Sequence, residues 1–445
     1  MMLSVKDTKQ VWRYKSMKES YVQRPDGFLD RTPWFKFLLI SVLFGIWGTA
    51  VALNSVLIAQ FKEVFTLSNV ASALIQSAYF GSYFLVSLPT SMMIKKYSYK
   101  TAIVTGIALF AGGALLFYPA SKAGSYLPFL LCICVMAIGA GMLEMSCGTY
   151  VVMMGEPEGS TLRSTIAQTI NPIGNIIGIL LGKVLIFSAA GRLSDQMAGL
   201  SEAELHDFRL ASLQRTIIPY MIIAVILLAL LVLIAVQKYP SCKVKTDGTE
   251  EVPGTLETAK ALFTNKKFAW GWFAQFCGIG AQLTIWSFLI RQVLEINTQM
   301  TEADGTNFMM YSYILFFIGR FLVSMFVKKG VSEYNLLTVY LGLAVLDMIV
   351  VMFAPGTIPV YMLLAINLVL APIYPVLYAT NVANADRKYT ENAGAFATMT
   401  LVGGAIFPII QGKVADITSL QFSFIVPAIG FAIVMIFAMK NRKKA

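Results

Sequence analysis

Twelve long apolar stretches separated by short polar gaps fill the chain from residue 36 to residue 440. A helix needs roughly 20 residues to cross the hydrocarbon core of a bilayer, so each stretch is long enough to span a membrane. Barrel strands are excluded because the stretches lack period-2 alternation, and unpaired backbone groups are too costly in lipid for any open structure. The predicted spans are 36–58, 71–93, 101–119, 127–153, 165–188, 216–237, 268–290, 306–327, 334–353, 357–380, 392–413 and 421–439.

The distribution of charge predicts the topology of these spans. Charged residues make up only 13% of the chain, and the formal net charge is +11. With a cytoplasmic N-terminus, the inner segments hold 26 of the 35 lysines and arginines when Lys36, the first residue of the first span, is counted with them. This is the positive-inside bias of membrane proteins. The basic balance therefore reflects topology rather than nucleic-acid binding, and both termini are predicted to be cytoplasmic.

A polar segment at 238–267 divides the spans into two sets of six. We predict an all-α membrane protein with a cytoplasmic tail at 1–35, six-helix bundles at 36–237 and 268–440, and a second tail at 441–445. The polar segment is predicted to be a cytoplasmic linker between the bundles.

The two halves repeat weakly at an offset of 230 residues, since the sequence GKV occurs at 182–184 and at 412–414. Parallel repeats of this kind are typical of transporters whose binding site lies near mid-bilayer between the halves. The same offset places Glu144 opposite Tyr374. These two side chains are therefore predicted to face each other across the cleft between the bundles.

Glu144 is the most informative single residue because it lies deep inside the fourth span, within GAGMLE. An ionised carboxylate inside a membrane costs at least a few kcal/mol and normally faces a cavity, a partner or a proton path. Glu144 is therefore predicted to bind and release a proton. The alternative is a permanently neutral, hydrogen-bonded structural glutamate.

Amides and one indole supply candidate ligands for a neutral polar substrate. Gln168 and Asn171 lie three apart in the fifth span and share one helix face, although amide pairing between helices would explain them without a ligand. Gln282 and Trp286 lie one turn apart in the seventh span and suit hydrogen bonding and stacking on a sugar ring, although tryptophan is also common in the interfacial belts of membrane proteins. Asn54, near the outer end of the first span, is a further candidate, with simple wetting by solvent as the alternative.

Arg320 in the eighth span is predicted to have a gating or structural role, by snorkelling or by bonding neighbouring carbonyls. In the long outer loop, Ser201 and Glu204 form a predicted capping box that opens a short surface helix. His206 in that helix is the only histidine, so intramembrane proton chemistry must use carboxylates. With no P-loop, no Cys/His metal set and no Ser/His pair, the chain is not expected to be an enzyme or to bind a metal or cofactor.

Several segments spread over both halves resemble the fucose:proton symporter family of the major facilitator superfamily. They are LNSVLIAQFKEVFTLSN, GAGMLE, IAQTIN, AQFCGIGAQ, WSFLIR, FFIGRF, YPVLY and MTLVGGAIFP. The resemblance implies the twelve-helix major facilitator fold, and it implies proton-coupled uptake of L-fucose or a related monosaccharide by alternating access. It further implies a functional monomer in the bacterial cytoplasmic membrane.

The resemblance assigns roles residue by residue. Glu144 matches the acid of the family's proton pathway, Gln168 and Asn171 match amides of the sugar cavity, and Tyr374 matches a tyrosine of the tenth span. The chain departs from the family at Ser55, where the family has an aspartate that takes part in coupling, and at Ala52, where it has an asparagine. A uniporter, or a symporter for galactose, glucose or N-acetylglucosamine, therefore stays open.

Two other classes compete with a sugar transporter. A sugar sensor without turnover would need a folded output module, which the short linker and tails do not offer. A drug or lipid exporter of the same fold would have a mostly apolar cavity, which the amides of the fifth span disfavour.

Overall fold

The computed structural model describes residues 21–65, 69–123, 125–186, 199–243, 255–297, 300, 302–386 and 389–442. Throughout these residues the architecture is helical, and the only bridge of β type is an isolated one between Gln23 and Leu29. By length and composition, eleven helices in the described part qualify as membrane spans. A twelfth helix of 28 residues stands at the predicted second span, so the predicted all-α fold class is confirmed.

The N-terminal half contains six long helices that match the predicted spans, and each of them begins before the predicted first residue. They are α1 (Trp34–Val64), α2 (Asn69–Lys96), α3 (Tyr99–Ala123), α4 (Tyr126–Met153), α5 (Ser160–Leu181) and α6 (Glu202–Val236). The capping box of Ser201 and Glu204 is present. The predicted short surface helix is wrong, however, because this box opens α6 itself and the sixth span begins well before residue 216.

The C-terminal half begins after a short helix in the linker and contains four continuous and two interrupted spans. Its helices are α7 (Thr255–Thr264, in the linker), α8 (Lys266–Ile296), α9 (Glu302–Lys328), α10 (Glu333–Phe353), α11 (Ile358–Ala365), α12 (Asn367–Leu370), α13 (Ile373–Asn384), α14 (Thr390–Met399), α15 (Gly403–Ile417) and α16 (Ile425–Asn441). Helices α11, α12 and α13 together form the tenth span, while α14 and α15 form the eleventh.

Proline explains one of the two interruptions. Pro372 and Pro375 lack the N–H groups that would bond the carbonyls of residues 368 and 371, so the tenth span breaks between α12 and α13. The eleventh span changes to a 3₁₀ turn at Thr400–Val402. Irregular backbone at membrane depth is tolerated where it lines a cavity inside the protein, and Tyr374 and Leu401 next to these breaks line such a cavity.

Glycines bring α1 and α5 into close contact on one side of that cavity. A Cβ added at Gly174 would overlap the backbone of Gly45, and one added at Gly178 would overlap the carbonyl oxygen of Thr49. Because helix backbones approach this closely only across small residues, these glycines fix the distance between α1 and the polar face of α5.

The predicted inner ends of α2 and α6 are capped by lysines. Lys243 donates to the carbonyls of Lys95 and Tyr97 at 2.8 and 2.7 Å, and Lys100 donates to those of Ala235 and Gln237 at 2.6 and 2.8 Å. Cations stabilise the negative end of a helix dipole and satisfy its last carbonyls. Two of the lysines that produce the positive-inside bias therefore also stabilise the N-terminal bundle at this end.

Candidate functional site

A cavity lies between the two six-helix halves. About 100 Å³ within it is open to the centre of a water molecule. Because one water needs about 10–15 Å³ on this measure, the cavity holds on the order of seven to ten waters, or a molecule the size of a monosaccharide. Its polar lining consists of Tyr79, Tyr83, Glu144, Gln168, Asn171, Asn175, Gln282, Arg320 and Tyr374.

Glu144 on α4 forms the acidic centre of the cavity. Its side chain is 6% exposed, hydrogen-bonds the Gln168 amide and interacts electrostatically with Arg320 of the opposite half. Tyr374 also lies beside Glu144, close enough for the two groups to interact. The predicted juxtaposition of Glu144 and Tyr374 across the cleft is confirmed.

The Tyr374 hydroxyl is buried, and no protein group in the described ranges meets it with good hydrogen-bond geometry. The contact between this hydroxyl and Glu144 is therefore electrostatic and not a formed hydrogen bond, because the strength of a hydrogen bond falls steeply when its atoms are poorly aligned. The hydroxyl remains available to a ligand.

The two asparagine amides of α5 differ in what they bond: Asn171 bonds a neighbouring helix, whereas Asn175 keeps an unpaired oxygen. Asn171 Nδ2 donates to the carbonyl of Phe44 on α1 at 3.1 Å, and Asn175 Nδ2 donates to Asn171 Oδ1 at 3.3 Å. Asn175 Oδ1 is buried and has no hydrogen-bond partner among the described residues. Asn171 thus fastens α5 to α1 while lining the cavity, and Asn175 presents a free acceptor.

The opposite wall is formed by α8 and α9. Gln282 Oε1 is a second buried acceptor without a protein partner in the described part. Trp286 lies one turn further along α8, and its Nε1 donates to Asn367 Oδ1 at 2.7 Å. Arg320 stacks on Phe316 with its guanidinium carbon 4.8 Å from the ring centroid, while its Nε and Nη1 have no partner in the ranges described.

Seven of the residues named from sequence therefore line one cavity. They are Glu144, Gln168, Asn171, Gln282, Trp286, Arg320 and Tyr374. Asn54 is 5% exposed and does not contribute to the lining, so its contact with substrate stays a prediction. The side chain of Ser55 lies outside the described part of the structure.

Sequence reasoning missed Asn175 and the pair Tyr79 and Tyr83 on α2. Asn175 follows Asn171 by four residues and Gln168 by seven, so helical periodicity alone contained the signal. Tyr83 donates to Tyr79 at 3.3 Å. These tyrosines sit four apart in a helix that also contains serine, threonine and glutamine, so the sequence does not distinguish them from packing residues.

Hydrogen bonds between the two halves flank the cavity on both sides. On the side predicted to be cytoplasmic, Ser91 donates to Asn392 Oδ1 at 2.8 Å, and the hydroxyls of Thr149 and Tyr378 are 2.9 Å apart. On the side predicted to be external, Lys183 Nζ donates to Asn307 Oδ1 at 2.9 Å. Each bond must break if the halves separate on its side.

The chain is similar to known proteins over most of its length. The chain matches the family model of the Major Facilitator Superfamily over residues 37–408. It is 31% identical over 415 residues to the L-fucose-proton symporter of Escherichia coli strain K12, with 93% of this chain and 94% of that protein covered. It is 28% identical over 411 residues to a glucose/galactose transporter of Brucella abortus strain 2308, with 92% and 94% covered.

A solved structure shows the same arrangement of helices. The crystal structure of FucP, a transporter of that superfamily in the outward conformation, matches with a TM-score of 0.82 at 30% sequence identity. The match covers 92% of this chain and 99% of the other. Sequence and fold therefore agree over nearly the full length of both proteins.

Proposed function

Since this chain belongs to the major facilitator superfamily, we propose that it is a secondary active transporter of a monosaccharide, with a proton as the coupling ion. The observation that carries the proposal is a set of buried polar atoms that line the cavity without a partner in the described part of the chain. They are Asn175 Oδ1, Gln282 Oε1, Tyr374 Oη, and Nε and Nη1 of Arg320. An unsatisfied buried polar group costs about 1–3 kcal/mol, so a ligand that satisfies several of them binds favourably.

The chemistry of these atoms suits sugar hydroxyls. A hydroxyl both donates and accepts, so it pairs with the free amide oxygens of Asn175 and Gln282 and with the N–H groups of Arg320. Asn175 belongs to the N-terminal half and Gln282 to the C-terminal half. One sugar that bonds both amides links the two halves, which couples binding to their closure.

The size of the cavity and the names of the relatives support a single sugar ring. The relatives reported above are named for L-fucose and for glucose and galactose. We propose L-fucose or a related monosaccharide as substrate, with galactose, glucose and N-acetylglucosamine as the alternatives to be tested.

Glu144 is proposed to carry the proton. When ionised, it attracts the Arg320 guanidinium across the cavity. A proton on Glu144 removes that attraction and leaves Arg320 free to bind sugar oxygens. Binding of the proton then favours binding of the sugar, and this coupling between the two ligands is a requirement for symport.

Ser55 favours a second candidate, a sugar uniporter. The family's aspartate at this position is absent, so Glu144 has no second acid in the first span with which to share the proton. Glu144 is the only carboxylate among the described residues that line the cavity, so we assign the coupling to it, and uniport follows if Glu144 does not couple the two fluxes.

We also propose that the transporter acts as a monomer in the bacterial cytoplasmic membrane with both termini inside. The Lys/Arg bias supports this orientation, as do Lys100 and Lys243, which cap helix ends on the predicted inner side.

Uptake into proteoliposomes tests the function. Labelled L-fucose, D-galactose, D-glucose and N-acetylglucosamine are offered with and without an inward proton gradient. The proposal expects at least one sugar to accumulate above its external concentration only when the gradient is imposed. Equilibration without accumulation would indicate uniport, and absence of uptake for all four sugars would contradict the proposal.

A further inference from the structure

Asn367 occupies a special position in the interrupted tenth span. It begins α12, a helix of four residues between the break at Ile366 and the break before Pro372, and its side chain is fully buried. Its Nδ2 donates to the carbonyls of Leu363 and Leu364 at 2.9 and 3.3 Å. The amide therefore binds backbone groups of the preceding turn.

The other end of the same amide points to the cavity wall. Asn367 Oδ1 accepts from Trp286 Nε1 at 2.7 Å. Because an indole N–H can only donate, the oxygen of the amide must face it. The bonds to Leu363 and Leu364 on one side and to Trp286 on the other therefore allow a single orientation of the Asn367 side chain.

Trp286 is further confined by two aromatic rings of α9. Its ring contacts Tyr313 at a centroid distance of 5.3 Å and Phe316 at 5.1 Å, both edge-to-face. The ring of Phe316 in turn packs against the guanidinium of Arg320. The plane of the indole is thus fixed by one hydrogen bond and two ring contacts, while Trp286 itself lines the cavity.

We propose that Asn367 is a positioning residue for sugar binding, which acts by holding Trp286 as the aromatic wall against which the sugar ring packs. This inference rests on the proposed function. Asn367 does not line the cavity, so its effect on affinity is transmitted through the indole. If Asn367 only stabilised the interrupted helix, its replacement would change the sugar affinity by the same factor whether or not Trp286 is present.

A double-mutant cycle separates the two roles. Asn367→Leu removes the bonds to the indole and to the carbonyls, whereas Asn367→Asp keeps an oxygen facing the indole. Loss of one hydrogen bond corresponds to about threefold to tenfold in affinity. We expect Asn367→Leu to weaken binding of the transported sugar by that factor and Asn367→Asp to restore most of it.

In the Trp286→Phe background, Asn367→Leu should change affinity by less than about twofold, because the group it positions is already gone. If the effects of Trp286→Phe and Asn367→Leu instead multiply, or if Asn367→Leu binds sugar as the wild type does, the proposal is overturned.

A second measurement needs no sugar and keeps this test distinct from that of the function. The chain has 6 tryptophans, so its indole N–H resonances are few enough to resolve after ¹⁵N labelling, and loss of a peak in Trp286→Phe assigns Trp286. Asn367→Leu should shift that peak and speed its exchange with solvent, and an unmoved peak overturns the proposal. If the wild type binds none of the four sugars, the proposed function fails, and the positioning role fails with it.

Discussion

The hydroxyls of Thr149 and Tyr378 lie 2.9 Å apart and join the two halves of the transporter between the cavity and the predicted cytoplasmic surface. Both side chains are fully buried or nearly so. The contact lies about one helical turn from Glu144 on α4 and from Tyr374 on α13. The groups that line the cavity and the groups that close this end therefore share the same two helices.

Removal of this bond should favour opening on the cytoplasmic side. Thr149→Val keeps the shape of the side chain but deletes its hydroxyl, at a cost of roughly 0.5–1.5 kcal/mol. The population open to the cytoplasm should rise by about twofold to tenfold, as measured by spin-label distances between the inner ends of α2 and α14. Thr284→Val is the matched control, since the buried Thr284 hydroxyl donates to the Gly280 carbonyl of its own helix at 2.6 Å. Equal distance distributions for Thr149→Val and wild type would contradict the assigned role.

The unpaired amide oxygens should determine affinity. Asn175→Ala and Gln282→Ala each delete one acceptor of the cavity, so the dissociation constant for the transported sugar should rise about threefold to tenfold by calorimetry. Gln411→Ala removes a buried amide outside the cavity lining and should leave affinity unchanged. Wild-type affinity in both cavity variants would place the sugar elsewhere.

The close crossing of α1 and α5 should tolerate no added methyl group. Gly174→Ala would push a Cβ into the backbone of Gly45, and overpacking of this kind costs about 1–3 kcal/mol. We expect a lower melting temperature in detergent than for the wild type. Gly112→Ala meets no atom within 4 Å and should melt at the wild-type temperature or above. If Gly174→Ala melted at the same temperature as Gly112→Ala, α1 and α5 would not approach each other as closely as described.

The orientation in the membrane is tested at residue 250, in the linker between the halves and outside the described ranges. A Glu250→Cys protein in intact cells should resist a membrane-impermeant thiol reagent and react only after lysis. The native cysteines are Cys132, Cys134, Cys147, Cys242 and Cys277, and the unsubstituted protein supplies the background. Ready labelling from outside would reverse the assigned topology.

Sequence alone predicted the features that depend on hydropathy and on repeated spacing. The twelve helices follow from the length of the apolar stretches, and the proximity of Glu144 to Tyr374 follows from the 230-residue offset. Ends of helices were less predictable. The sixth helix begins at Glu202 because its polar first turns are capped by Ser201, and a hydropathy pattern does not register those turns.

The role of Asn367 was beyond prediction for a different reason. It lies in the apolar run INLVLAP, where a single amide reads as an isolated polar residue. Its partners are Trp286, 81 positions away, and carbonyls of its own interrupted helix. Only the tertiary contact between α8 and α12 brings these groups together, so local spacing carries no trace of the arrangement.

We propose that Glu144 alone couples proton movement to sugar movement in a chain that has Ser55 in the first span. Glu144→Gln preserves the shape of the side chain and mimics its protonated form. The decisive measurement is uptake of the transported sugar by Glu144→Gln and wild-type vesicles under an inward proton gradient, with sugar exchange at equilibrium as the control for folding. We expect the Glu144→Gln protein to exchange sugar normally but not to accumulate it. Accumulation equal to that of the wild type would show that Glu144 is structural and that any coupling uses another group.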